Sequence, residues 1–121
     1  MKHSSKKWPT VDVATAGSVF GPREGFAAPT STTTAYLDLS AYVGMYIRVQ
    51  VVDTIHYLCM VAASGDVIDV DARAMANDKF ADNVPDELGN GERDQWVVPS
   101  DRPFLAYRTK TDTGLIRVRR S

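Results

Sequence analysis

Phe104–Thr109 (FLAYRT), Thr111–Gly114 (TDTG) and Leu115–Arg119 (LIRVR) decide the fold of this chain. Two runs of aromatic, aliphatic and β-branched residues flank a turn signal, the pattern of strand, turn and strand. Just before them Gln95–Val98 is a further short apolar strand, closed by Pro99. The three strands read as a closing meander. The chain stops two residues after the last of them, at Ser121, so this strand is expected inside a sheet.

Working outward, the same signal recurs. Thr32–Leu39 (TTTAYLDL) is rich in β-branched and aromatic residues, and Ser40–Gly44 is a turn. Met45–Val52 alternates: Ile47, Val49 and Val51 point one way, and Tyr46, Arg48 and Gln50 the other. That is a strand with one face in the core. Asp53–Thr54 marks a turn. Ile55–Ala63 (IHYLCMVAA) is nearly all apolar and too short for a typical helix, which predicts a central strand covered on both faces. Ser64–Asp66 is a turn and Val67–Val70 a short strand. Asp71–Phe80 is expected to form a brief helix with Asp71 as its N-cap. Gly21–Ser31 and Asn83–Gly91 read as loops from their Gly and Pro content, and Val11, Val13, Val19 and Phe20 as a weak first strand.

These readings give an all-β fold. The expectation is a single antiparallel sandwich, jelly-roll-like, or a barrel, of seven to eight strands with at most one short helix. At 121 residues the chain is one domain, residues 11–121, preceded by a flexible basic arm over residues 1–10. A domain of this size buries roughly two-thirds of its unfolded surface and needs neither disulfide nor metal to fold. The single cysteine, Cys59, has no intrachain partner, which fits a reducing cytoplasm or assembly there before release. No signal peptide is expected, and no apolar run is long enough to span a membrane as a helix.

The formal net charge is −1, unevenly spread. Residues 1–52 carry +2, residues 53–94 carry −7 and residues 95–121 carry +4. A chain so divided can join a mixed surface or copies of itself by complementary potentials. It is not basic overall, which argues against specific nucleic acid as its ligand.

Few residue groupings in the chain point to chemistry. Asp66, Asp69 and Asp71 lack the spacing and the glycine of a calcium loop and read as solvated turn carboxylates. His56 and Cys59 are three apart in a strand, so they face opposite sides and cannot share an ion; a buried histidine and a buried thiol explain them. No nucleophile elbow or phosphate-binding glycine loop occurs, so no catalytic residue, cofactor or metal is expected. Tyr36, Tyr42, Tyr46, Tyr57, Trp96, Phe104 and Tyr107 are assigned to core packing rather than to a stacking platform. Arg117 and Arg119 share one face of the last strand, opposite Ile116 and Val118. They serve either to protect an edge strand by charge or, with Arg120, to meet an acidic patch on a neighbouring subunit. In the arm, Lys2, Lys6, Lys7 and Trp8 are candidate partner contacts.

Two stretches carry a resemblance. Tyr36–Val51 contains a "DLSAY-x-G" turn before an alternating strand, a form also seen in β-sandwich carbohydrate-binding and adhesion modules. Glu92–Ser121 resembles the C-terminal end of small tailed-bacteriophage virion proteins. The matching residues are Val98, Pro99, Asp101, Arg102, Pro103, Leu105 and Ala106, then Thr113, Gly114, Arg117 and Val118. The resemblance implies a non-enzymatic virion component, assembled in the host cytoplasm, that decorates and cements the capsid by binding between major capsid subunits. It also implies a dimer or trimer. A head–tail joining or tail component and a carbohydrate-binding module are the alternatives.

Overall fold

The structure is a computed structural model that describes residues 25–71 and 79–120. Among these residues eight strands form: β1 Gly25–Thr30, β2 Ala35–Asp38, β3 Tyr46–Val52, β4 His56–Val61, β5 Asp86–Leu88, β6 Arg93–Val97, β7 Phe104–Thr109 and β8 Gly114–Arg120. They make two four-stranded antiparallel sheets, β1-β8-β3-β6 and β2-β7-β4-β5. No α-helix occurs among the described residues; two 3-10 turns lie at Ser40–Tyr42 and Ala81–Asn83. Among the described residues the sheets stay open at their edges, so the fold is a sandwich and not a barrel.

The pairing is nested. β1 pairs β8, β2 pairs β7, β3 pairs β6, and β4 pairs β5. The chain is thus doubled back between β4 and β5 into one long ribbon. Rolling that ribbon brings β3 beside β8 and β4 beside β7. This is a jelly roll.

The core is the row of inward residues of each strand. Ile47, Val49 and Val51 of β3 and Ile116 and Val118 of β8 are fully buried against Leu37, Leu58, Met60 and Leu105 of the other sheet. Alternation works on β3 because one face meets this core and the other meets solvent. β4 is buried at every position. Its second face, with Tyr57, Cys59 and Val61, lies under the irregular segment that carries Ile68 and Val70. The Tyr36 hydroxyl donates to the Asp66 carbonyl at 2.7 Å and pins that cover.

Five expectations are corrected. Within Gly21–Ser31, expected as a loop, residues 25–30 form β1, because Phe26, Ala28 and Thr30 alternate into the core opposite Val118, Ile116 and Gly114. Pro29 is tolerated because, among the described strands, β1 is paired on one side only. Within Asn83–Gly91 the short β5 forms by pairing β4 and burying Leu88. Val67–Val70 is not a strand: Val67 is exposed, Ile68 is buried, and Asp69 N–H bonds to Asn83 O. The closing strands are no meander, since β7 lies in one sheet while β6 and β8 lie in the other. The strand expected at Thr32–Leu39 is confined to Ala35–Asp38. The helix expected at Asp71–Phe80 falls largely on residues outside the described ones, as do the weak first strand and the arm.

Candidate interaction face

The outward residues of the β1-β8-β3-β6 sheet follow from the core alternation. If Ile47 and Val49 point in, Tyr46, Arg48 and Gln50 point out; if Ile116 and Val118 point in, Arg117 and Arg119 point out. Register then brings them together. Arg48 lies opposite Arg119 on β8 and opposite Gln95 on β6. Gln50 lies opposite Arg117 and Arg93. Tyr46 lies opposite Val97. Neighbouring strands are about 4.8 Å apart and residues two along a strand about 6.6 Å apart, so four guanidiniums spring from a small area.

Arg48, Gln50, Arg93, Arg117 and Arg119 line a shallow open cavity of about 270 Å³. The four arginines are exposed, and among the described residues none of them forms an ion pair. Arg117 Nη1 donates to Gln50 Oε1 at 3.5 Å, and Gln50 Nε2 donates to the Gly91 carbonyl at 3.3 Å. Like charges directly opposite across an antiparallel pair are unfavourable, and Arg48 with Arg119 is such a pair. An anionic partner removes that penalty.

The sequence-expected contact residues divide. Arg117 and Arg119 lie on this face. β8 sits between β1 and β3, so it is not an edge strand, and edge protection does not account for its charges. Arg120 stands on the opposite side of the strand, opposite Ile47, and is half-buried. Lys2, Lys6, Lys7 and Trp8 lie outside the described residues. Arg48 and Arg93 join the face without having been singled out. Alternation shows that Arg48 points outward, but its register with Arg119 and Gln95 is not visible in the sequence.

The aromatics are mostly core, as expected: Tyr42, Tyr57, Trp96 and Tyr107 are buried, with Tyr36 and Phe104 packed against them. Tyr46 is the exception, 54 % exposed beside Val97 at 40 %. Both sit on the arginine face, at the end beyond Arg48 and Gln95.

The other polar groups are structural. His56 is fully buried. Its Nδ1–H donates to the Thr54 carbonyl at 2.9 Å, so its Nε2 accepts from the Thr30 hydroxyl at 2.7 Å. That second bond ties the two sheets. Burial lowers the histidine's pKa, against the Thr54 hydrogen bond and the Asp53 charge, and keeps the ring neutral. Burial pushes the Cys59 thiol up to about 12, the opposite of a reactive thiolate. Asp66 Oδ2 accepts from Ala63 N–H and Asp69 Oδ1 from Asp71 N–H, so these acids cap turns.

A second concavity lies between Lys79, Phe80, Trp96 and Arg102. The Lys79 ammonium binds Asp86 of β5 and Asp94 of β6, joining the two sheets at that side. It also lies 5.1 Å and 5.5 Å from the ring centroids of Phe80 and Trp96. Burial disfavours its charge, but the hydrogen bonds it donates to both carboxylates, and their negative charge, outweigh this and raise its pKa. Among the described residues no group of His, Cys, Asp and Glu could hold a metal ion. No protein-family model, curated protein or solved structure matches this chain.

Proposed function

We propose that this protein is a non-enzymatic virion structural protein of a tailed bacteriophage. In this reading it decorates and stabilises the capsid shell, binding between major capsid subunits through the exposed face of the β1-β8-β3-β6 sheet. The observation that carries the reading is the cluster Arg48, Arg93, Arg117 and Arg119, four exposed cations with no acidic partner among the described residues. Such a face suits an acidic protein surface, and binding by many copies to a lattice multiplies a modest affinity. The jelly roll recurs in viral capsid domains, an analogy of fold that adds to the motif resemblance without standing alone. The basic arm with Lys2, Lys6, Lys7 and Trp8 reaches a neighbouring subunit, and the protein acts as a dimer or trimer. A glycan platform would need several exposed aromatics, and among the described large hydrophobics Tyr46 is the exposed aromatic.

Electron microscopy of gradient-purified particles from cells that make this chain tests the proposal. Copies bound at regular sites on an icosahedral shell are expected. Copies confined to a tail or a head–tail joint support that alternative, and a chain found only in the unassembled fraction refutes both.

A further inference from the structure

Beyond the presence of positive charge, the face has an order, and that order specifies a partner. Tyr46 and Val97 form one row across β3 and β6. Arg119, Arg48 and Gln95 form the next, and Arg117, Gln50 and Arg93 the one after. Successive rows are about 6.6 Å apart, the distance between residues i and i+2 of an extended chain. From the geometry we infer that the face is a docking surface for an extended acidic protein segment. That segment presents an apolar residue to the Tyr46–Val97 row and carboxylates, two residues apart, to the two arginine rows. This inference rests on the proposed role of the same sheet face and names the chemistry of what it meets.

Two features favour protein over a phosphate polymer, the absence of lysine and the apolar row, and the guanidinium geometry is compatible with it. Among the described residues the cations of the face are all arginine, with no lysine, and arginine with tyrosine is the composition of protein contacts, where lysine is depleted. The planar guanidinium takes a carboxylate, as it also takes a phosphate, through two parallel hydrogen bonds, and the paired Arg48 and Arg119 suit one such group. The apolar row is continuous with the cations, so an occupant that bears only phosphates leaves Tyr46 and Val97 uncovered, on a chain whose net charge is −1.

The test is a titration of the full, isotope-labelled chain followed by amide NMR. The probes are a peptide containing LTETE, its LTKTK counterpart and a short single-stranded oligonucleotide. The glutamate peptide is expected to shift amides of β3, β6 and β8 around Tyr46, Arg48, Arg93, Arg117 and Arg119. The double variant Arg48→Ala/Arg119→Ala is expected to weaken it by about tenfold or more, and Tyr46→Ser by several-fold. The spectra of the free variants report that the fold is intact. Three results overturn the inference: no shifts, or shifts away from this face; equal response to the lysine peptide; or tighter binding of the oligonucleotide with no effect of Tyr46→Ser. Particles that carry the chain although it ignores the peptide defeat this inference alone. Peptide binding by a chain absent from particles defeats the virion reading alone.

Discussion

Acidification from about pH 7.5 to about pH 5.5 is expected to destabilise this fold through His56 by as much as about 1.4 kcal/mol. The buried ring has its pKa held below the ordinary 6.5 by loss of hydration. The sign follows from proton counting. Between the two pKa values the unfolded chain binds a proton that the folded chain refuses, so stability falls as pH falls from 6.5 and levels off below the folded value. One unit below 6.5 the unfolded imidazole is about ten parts charged to one neutral, which gives RT ln 11, the figure above, if the folded ring stays neutral. For a domain near this size the matching loss of Tm is on the order of 4–8 °C. The assay is urea unfolding across that pH range for the natural chain and for His56→Gln. The variant is expected to be less stable at every pH, because it disturbs the Thr30 and Thr54 bonds, but to lack most of the pH slope. His3 is present in both proteins and cancels. Equal slopes in the two proteins refute the reasoning, as does an NMR titration in which the folded His56 ring charges at or above 6.5.

Gly114→Ala is expected to lower stability by about 1–3 kcal/mol in thermal unfolding, as overpacking does. Its new Cβ would lie 2.6 Å from the Val52 carbonyl oxygen and 2.8 Å from His56 Cε1, and backbone cannot retreat as a flexible side chain can. Tyr107→Phe should be neutral or stabilising by up to about 1 kcal/mol, because it removes a buried hydroxyl that has no hydrogen-bond partner among the described residues. Its urea midpoint checks this, and a loss above that figure contradicts it. Arg48→Ala should raise stability by a few tenths of a kcal/mol at low salt by relieving the Arg119 repulsion. The gain should shrink as salt is added.

Strands whose identity is local could be read from the sequence. Ile47, Val49 and Val51 alternate with polar residues, and the apolar run of β4 announced burial on both faces. β7 was read with its observed bounds, Phe104–Thr109. What escaped depends on distant partners. β1 is a strand because Val118 and Ile116 lie beside it, not because GFAAPT favours extension. β5 has three residues and exists through β4. The arginine face divides the same way. Arg117 and Arg119 share a strand and were visible together, whereas Arg93 joins them only through the pairing of β6 with β3 and of β3 with β8. No local pattern carries that register.

The nested pairing gives the face a property of its own. Its cations come from positions 48, 93, 117 and 119, on three strands, and no contiguous stretch as long as a single strand contains more than two of them. The constellation is therefore conformational, an epitope that vanishes when the roll opens. Whatever seats on it discriminates native chains from denatured or half-synthesised ones, and by mass action raises the melting temperature of every molecule it holds. Under the proposed docking role, recruitment and quality control become a single event.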